Sequence, residues 1–159
     1  MHRKKLLQLI IAKLNHDLEV LSGAARIAHE AATHEENIPD NRYDTLALEA
    51  SYLAQGQANR ASEVRQAINV YRQLGLLPMN EEEICLTSLV TLEAADGNIK
   101  TVFIGPLEGG MKIIYNRSEV LVITPGSPLG NELLGKAAGD TIEVGTGSSL
   151  ISYEITGVR

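Results

Sequence analysis

Cysteine occurs once, at Cys85. One thiol closes no intrachain disulfide and builds no cysteine-based zinc site, and it suits a reducing compartment. Tryptophan is absent and Phe103 is the only phenylalanine, so aromatic residues make up 4% of the chain and any core must be mainly aliphatic. Basic residues are in deficit: 14 Lys and Arg against 20 Asp and Glu give a formal charge of −6. A protein that works on a nucleic-acid backbone needs a cationic surface to neutralise phosphates, so sequence-specific DNA binding is not expected. No apolar run approaches the ~20 residues needed to cross a bilayer. The opening "MHRKKLLQLIIAKLNHDL" has a basic start, yet Lys13, His16, Asp17 and Glu19 follow at once and no small-residue cleavage site is present. A cytoplasmic protein with no membrane partner is expected.

Composition shifts abruptly along the 159 residues near "LGLLPMN", residues 74–80. Up to residue 76 lie three of the 14 glycines and one of the five prolines. The first part is rich in the helix formers Ala, Leu, Gln and Glu, and the second in Val, Ile, Thr and Gly, which suit strands and turns. Gly75 followed by Pro78 is a helix-stop signal. Two units are expected, 1–76 and 80–159.

In the first unit, Leu7, Ile11, Leu14, Leu18, Leu21, Ala25, Ala28 and Ala32 recur with gaps alternating between four and three, the seam of a coiled coil. A weaker seam, Tyr43, Ala47, Ala50, Ala54, Ala61, Val64, Ile68 and Tyr71, follows and is interrupted by Gln57. An antiparallel coiled-coil hairpin roughly 45 Å long is predicted. Alanines dominate both seams near the turn, and small residues let helix axes approach closely, so the hairpin should taper. Its turn, "HEENIPDNRYD", crowds Glu35, Glu36, Asp40 and Asp44 together, with Glu30 just upstream. Pro39 disfavours helix at Ile38, and Asp40 and Asn41 are natural N-caps for the second helix. Taken alone, crowded carboxylates suit a solvated turn first, and a hard cation or a basic partner second.

The second unit alternates in six short runs, "SLVTLEA", "KTVFIG", "MKIIYN", "EVLVIT", "DTIEVG" and "SLISYEITGV", punctuated by Asp96-Gly97, Gly105-Pro106, Gly109-Gly110 and Gly145-Thr146-Gly147. Between the fourth and fifth runs, "SPLGNELLGKAAGD" reads as one short helix packed on a sheet. The fold class is therefore α+β: a helical hairpin followed by a small antiparallel sheet with one short helix. His29 and His34 do not share a helix face, and neither they nor His16 match H-E-x-x-H. The glycine-rich stretches precede strands rather than helices, so no phosphate-cradling loop is present. No self-contained catalytic site is evident.

The run Ser127-Pro128-Leu129-Gly130, Leu133-Leu134-Gly135-Lys136 and Gly139-Asp140 resembles the C-terminal domain of the bacterial Gre family of transcription elongation factors. The stretches before and after it, "SLVTLEAADG…FIGP" and "YEITGV", fall where that family has its other strands, and the hairpin matches in length and in its acidic tip. The resemblance implies a C-terminal domain similar to the FK506-binding prolyl isomerases. It also implies docking on RNA polymerase through Ser127, Pro128 and Leu129, and insertion of the hairpin into the polymerase secondary channel. Tip residues would there assist the polymerase Mg²⁺ in cleaving backtracked RNA. The tip positions concerned are Glu35, Glu36, Asn37, Asp40, Asn41 and Asp44, with Asp40 and Glu36 as metal ligands only within the polymerase complex. The factor itself would need no cofactor beyond that shared Mg²⁺, would be no enzyme, and would act as a monomer.

Where the family tip reads Asp-Leu-Ser-Glu-Asn, this chain has Asn37-Ile38-Pro39-Asp40-Asn41. One functional acid is thus an amide and the other is shortened. Two readings follow, a factor that stimulates transcript cleavage and a channel-binding regulator that does not stimulate it or inhibits it. Two further classes are a prolyl isomerase or chaperone, whose aromatic pocket could draw only on Phe103, Tyr115 and Tyr153, and a coiled-coil dimeriser.

Overall fold

A computed structural model describes residues 3–33, 45–74, 78 and 80–159. The predicted tip at 35–44 lies outside them, as does most of the predicted boundary near 76–80. Helix α1 runs Arg3–Thr33 and α2 runs Thr45–Leu74, ending just before Gly75. Strands β1 (Leu89–Ala94), β2 (Ile99–Ile104), β3 (Lys112–Tyr115) and β4 (Ser118–Ile123) precede the short helix α3 (Pro128–Leu133). Strands β5 (Thr141–Val144) and β6 (Ile151–Val158) complete the chain, joined by one turn of 3₁₀ helix at Gly147–Ser149. All six predicted strands and the predicted helix are present.

The chain divides into two compact units. One contains residues 11–69, the greater part of the two long helices. Here the predicted seam is the buried face: Leu14, Ala28, Ala61, Val64 and Ile68 are all less than 5% exposed or at that value, and Ile11, Leu18, Leu21, Ala25, Ala50 and Ala54 are half-buried. Gln57 sits half-buried at its seam position, as the interrupted pattern requires.

The other unit joins residues 1–10 and 70–159. Its six strands form one sheet in the order β3-β4-β2-β1-β6-β5. Neighbours are antiparallel except β2 and β4, which pair in parallel with Val102 beside Leu121. The parallel pair arises because β3 turns back onto β4 through Asn116 and Arg117, both at positive φ (50° and 66°). Two such residues make the tight hairpin turn whose twist matches the strands. The hairpin then lies on the outer side of β4.

Strand periodicity sorts side chains onto two faces. On one, Val90, Leu92, Val102, Ile104, Ile123, Ile142, Ile155 and Val158 gather with Ile84 and with Leu133 of α3. Ile155 and Val158 are an odd number of residues apart, so a regular strand would send them to opposite faces. A register shift opposite Thr91 and Leu92 restores them to the same one.

On the opposite face, Phe103, Val120 and Val122 are 0% exposed, and the start of α1 and the end of α2 supply the apolar cover. Leu6, Leu7, Ile10, Tyr71 and Leu74 are buried within this same unit. The Tyr71 hydroxyl donates to the Leu107 carbonyl at 2.6 Å, and Arg3 donates to the Thr87 hydroxyl at 3.0 Å. Gly105 is required at this joint. A Cβ there would collide with the Tyr71 hydroxyl and crowd Val122 Cγ1 at 3.0 Å.

Burial, reinforced by the Glu108 carboxylate, pushes the Tyr71 phenol well above its ordinary value of 10.0. The unfolded chain loses this proton near pH 10, while the folded chain holds it to higher pH. Stability from the site is therefore complete below pH 10 and declines as the pH rises above it. In urea unfolding, Tyr71→Phe should cost about 1 kcal/mol at neutral pH for the lost hydrogen bond and should flatten the decline above pH 10. Gly105→Ala should be destabilising in the native sequence and less so when combined with Tyr71→Phe, which removes the nearest colliding atom.

Candidate functional site

Helix α3 has only six residues, too few to be stable by itself. Its first turn is fixed by Ser127, whose extended backbone (φ −71°, ψ 156°) and side chain form the N-cap. The Ser127 hydroxyl donates to the Thr124 carbonyl at 2.7 Å and accepts from the Gly130 amide at 3.1 Å. Pro128 follows at the start of the helix, where a missing N–H costs nothing. Gly130 is buried, and a Cβ there would run into the Thr124 carbonyl oxygen. Leu133 plugs into the core at 0% exposure.

The residues after the helix are held just as closely. Gly135 (φ +81°) donates its amide to the Ile84 carbonyl at 2.9 Å, and the Ile84 amide donates to the Lys136 carbonyl at 2.8 Å. Gly139 (φ +94°) donates to the Ile155 carbonyl at 2.8 Å. The Asp140 carboxylate accepts from the Ala137 amide at 2.8 Å.

Of the ten residues that carry the resemblance, Ser127, Gly130, Leu133, Gly135, Gly139 and Asp140 are thus occupied in building the α3 knuckle. Among the three predicted docking residues the roles divide. Ser127 is spent internally, Pro128 is exposed, and Leu129 is half-buried.

Pro128 stands between two depressions. One, of about 390 Å³, runs along α3 and the open part of the sheet and is lined by Lys100, Leu121, Leu129, Ile151 and Tyr153 among others. The second, of about 420 Å³, lies between α3 and β5 and carries the carboxylates Glu132 and Glu143. The first is an apolar cleft with one cation on its lining. It does not form an aromatic cage. Tyr153 is the one aromatic on its lining, because Phe103 is fully buried and its strand neighbours Val102 and Ile104 point to the α3 side.

The sequence reading missed this groove and Lys100 within it. A usable signal was present: Lys100 lies two residues before Val102, so in a strand it shares the face of the core.

The predicted tip residues Glu35, Glu36, Asn37, Asp40, Asn41 and Asp44 lie outside the described residues. Glu30, just before them, belongs to α1 and meets Arg26 at 3.1 Å, both exposed. Surface pairs of this spacing contribute little. His16 and His29 are exposed on α1. Among the described residues no group of three His, Cys, Asp or Glu side chains could hold a metal ion. Cys85 is half-buried, its amide donating to the Ser88 hydroxyl at 3.0 Å. No helix in the described part is long and apolar enough to cross a membrane.

Residues 79–159 match the family described as transcription elongation factor, GreA/GreB, C-terminal. No curated protein sequence matches the chain. Among solved structures, Gfh1 from Thermus aquaticus is 22% identical, with 100% of this chain and 96% of that chain covered and a TM-score of 0.41. The GreA factor homolog 1 (Gfh1) protein of Thermus thermophilus is 20% identical, with 94% of each chain covered and a TM-score of 0.38. A prokaryotic transcription elongation factor GreA/GreB from Nitrosomonas europaea is 14% identical, covering 60% of this chain and 78% of its own, with a TM-score of 0.40.

The hydrogen bonds of the knuckle set an order of sensitivity. In thermal or urea unfolding, Ser127→Ala should cost about 1 kcal/mol, the usual loss for an N-cap. Gly130→Ala should cost more, because the colliding atom is a backbone carbonyl that moves only if α3 moves. Pro128→Ala, at an exposed position, should change stability least.

Proposed function

Because the chain belongs to the GreA/GreB family of transcription elongation factors, we propose that it binds RNA polymerase through its sheet unit and inserts its helical hairpin into the secondary channel. There it acts on backtracked or paused complexes. The observation that carries this reading is the family match over residues 79–159, which falls on the unit that presents Pro128 and Leu129 beside an apolar groove. The chemistry belongs to the polymerase and the factor supplies positioning.

In this reading the tip residues Asp40 and Glu36 approach the polymerase active centre. A metal there lowers the pKa of bound water and offsets charge on the attacking and leaving oxygens. Carboxylates suit a hard divalent cation, which commonly takes only one or two from protein. The remaining tip residues, Glu35, Asn37, Asn41 and Asp44, would shape the turn and its charge. Under this arrangement the protein stimulates cleavage of the transcript at its 3′ end.

One observation favours a second reading. Asn37 stands where the family tip has an acid, and an amide oxygen binds a cation more weakly than a carboxylate. A chain with Asp40 as its only acid at a matching position would then occupy the channel without stimulating cleavage, or would inhibit it.

Incubation of the protein with halted, backtracked polymerase separates these cases. Cleavage stimulation predicts 3′-trimmed RNA whose yield falls at least about tenfold with Asp40→Ala, the scale set by loss of groups supporting a metal site. Binding without trimming selects the second reading, and Asn37→Asp should then move the protein toward cleavage. Failure of the unmodified chain to bind polymerase would sink the whole class.

A further inference from the structure

Among the described residues, the groove beside α3 has one cation and no acid on its lining. Lys100 lies opposite Leu92 in the β1–β2 ladder, and strand alternation places it on the face that carries Val102 and Ile104. It is half-buried and lines both the α3 groove and the neighbouring depression over β2, β3 and β4. Its ammonium has no carboxylate or hydrogen-bond partner among the described residues. The nearby Lys112 differs in this respect, since it meets Glu119 across the β3–β4 hairpin at 3.5 Å.

The other polar side chains of the groove are largely consumed by the fold. Ser127 donates to Thr124 and accepts from Gly130. Ser149 donates to the Thr146 carbonyl at 2.7 Å. Lys100 and Tyr153 are the remaining polar side chains on its lining. No Asp or Glu lines the groove, although the chain has 20 acids against 14 bases. An ammonium at the edge of an apolar cleft whose lining carries no acid is a site at which an incoming carboxylate can pair.

We propose that Lys100 is the polar anchor of the docking groove and pairs with a carboxylate on the polymerase segment seated there, while Leu121, Leu129 and Ile151 receive flanking apolar side chains. This inference rests on the proposed function and adds the chemistry that fixes register. The apolar contacts supply area and are tolerant of sliding. One charge pair at the edge of an apolar cleft discriminates between registers, because a misplaced partner leaves both charges unpaired. The long aliphatic stem of Lys100 covers Leu121-side surface whether or not the charge is present.

The experiment measures binding of the full-length chain to core RNA polymerase as ionic strength is raised from about 0.05 to 0.3 M, where screening shortens markedly. Lys100→Met retains the stem and should weaken binding about fivefold at low salt, within the range measured for charge pairs. Its affinity should also depend less on salt than that of the unmodified chain. Lys100→Arg should restore both affinity and salt dependence, which a purely structural role would not require. Lys112→Met, whose cation is already paired, should leave binding unchanged. Undiminished binding and unaltered salt dependence in Lys100→Met would overturn this inference alone. Absence of binding by the unmodified chain would remove the proposed function and this inference together.

Discussion

A sheet whose central strands are apolar on both sides needs two covers, and the rest of the sheet unit follows from that requirement. Val102 and Phe103 are adjacent in β2, point in opposite directions and are both fully buried. One cover is α3 with Leu133. The other comes from the ends of the two long helices, with Tyr71 wedged against Gly105 and hydrogen-bonded to Leu107. The division into compact units reflects this, since residues 1–10 and 70–74 group with the sheet and not with the remainder of their own helices. The sheet unit therefore includes helical residues far apart in sequence.

The two covers differ in reach. Six residues of α-helix span ~9 Å, whereas six paired strands span ~24 Å. Helix α3 can roof only part of its face. Leu121, Leu129, Val144 and Tyr153 pack against the core yet remain partly exposed, and the groove is the uncovered remainder. Its apolar character follows directly from a cover shorter than the surface beneath it. The hold on the short helix is tight: a serine cap, a buried glycine against the Thr124 carbonyl and two positive-φ glycines fix α3 at both ends.

Much of this architecture was legible in the sequence, for identifiable reasons. The seam from Leu14 to Ile68 showed because a helix pair imposes one long period. The six strands showed because Gly and Asp-Gly turns bound them, and the helix stop at Leu74 showed because Gly75 and Pro78 follow it. The parallel pairing of β2 with β4 was not legible, since strand periodicity records faces and not neighbours. Nor was the Asn116-Arg117 turn, whose second residue is an arginine at positive φ, a rare occupant of that conformation. The groove escaped notice because its lining comes from β2, β4, α3, β5 and β6, five separate stretches that no local motif connects. For the hairpin tip, the sequence pattern remains the basis of the assignment of Asp40 and Glu36.

The residues that carry family resemblance and the residues available to a partner are largely different sets. Ser127, Gly130, Leu133, Gly135, Gly139 and Asp140 have their side chains, or the lack of one, committed to the knuckle. Pro128 is exposed, and Lys100 and Glu132 lie on the groove linings outside these hydrogen bonds. The family match over residues 79–159 therefore covers residues that build the scaffold.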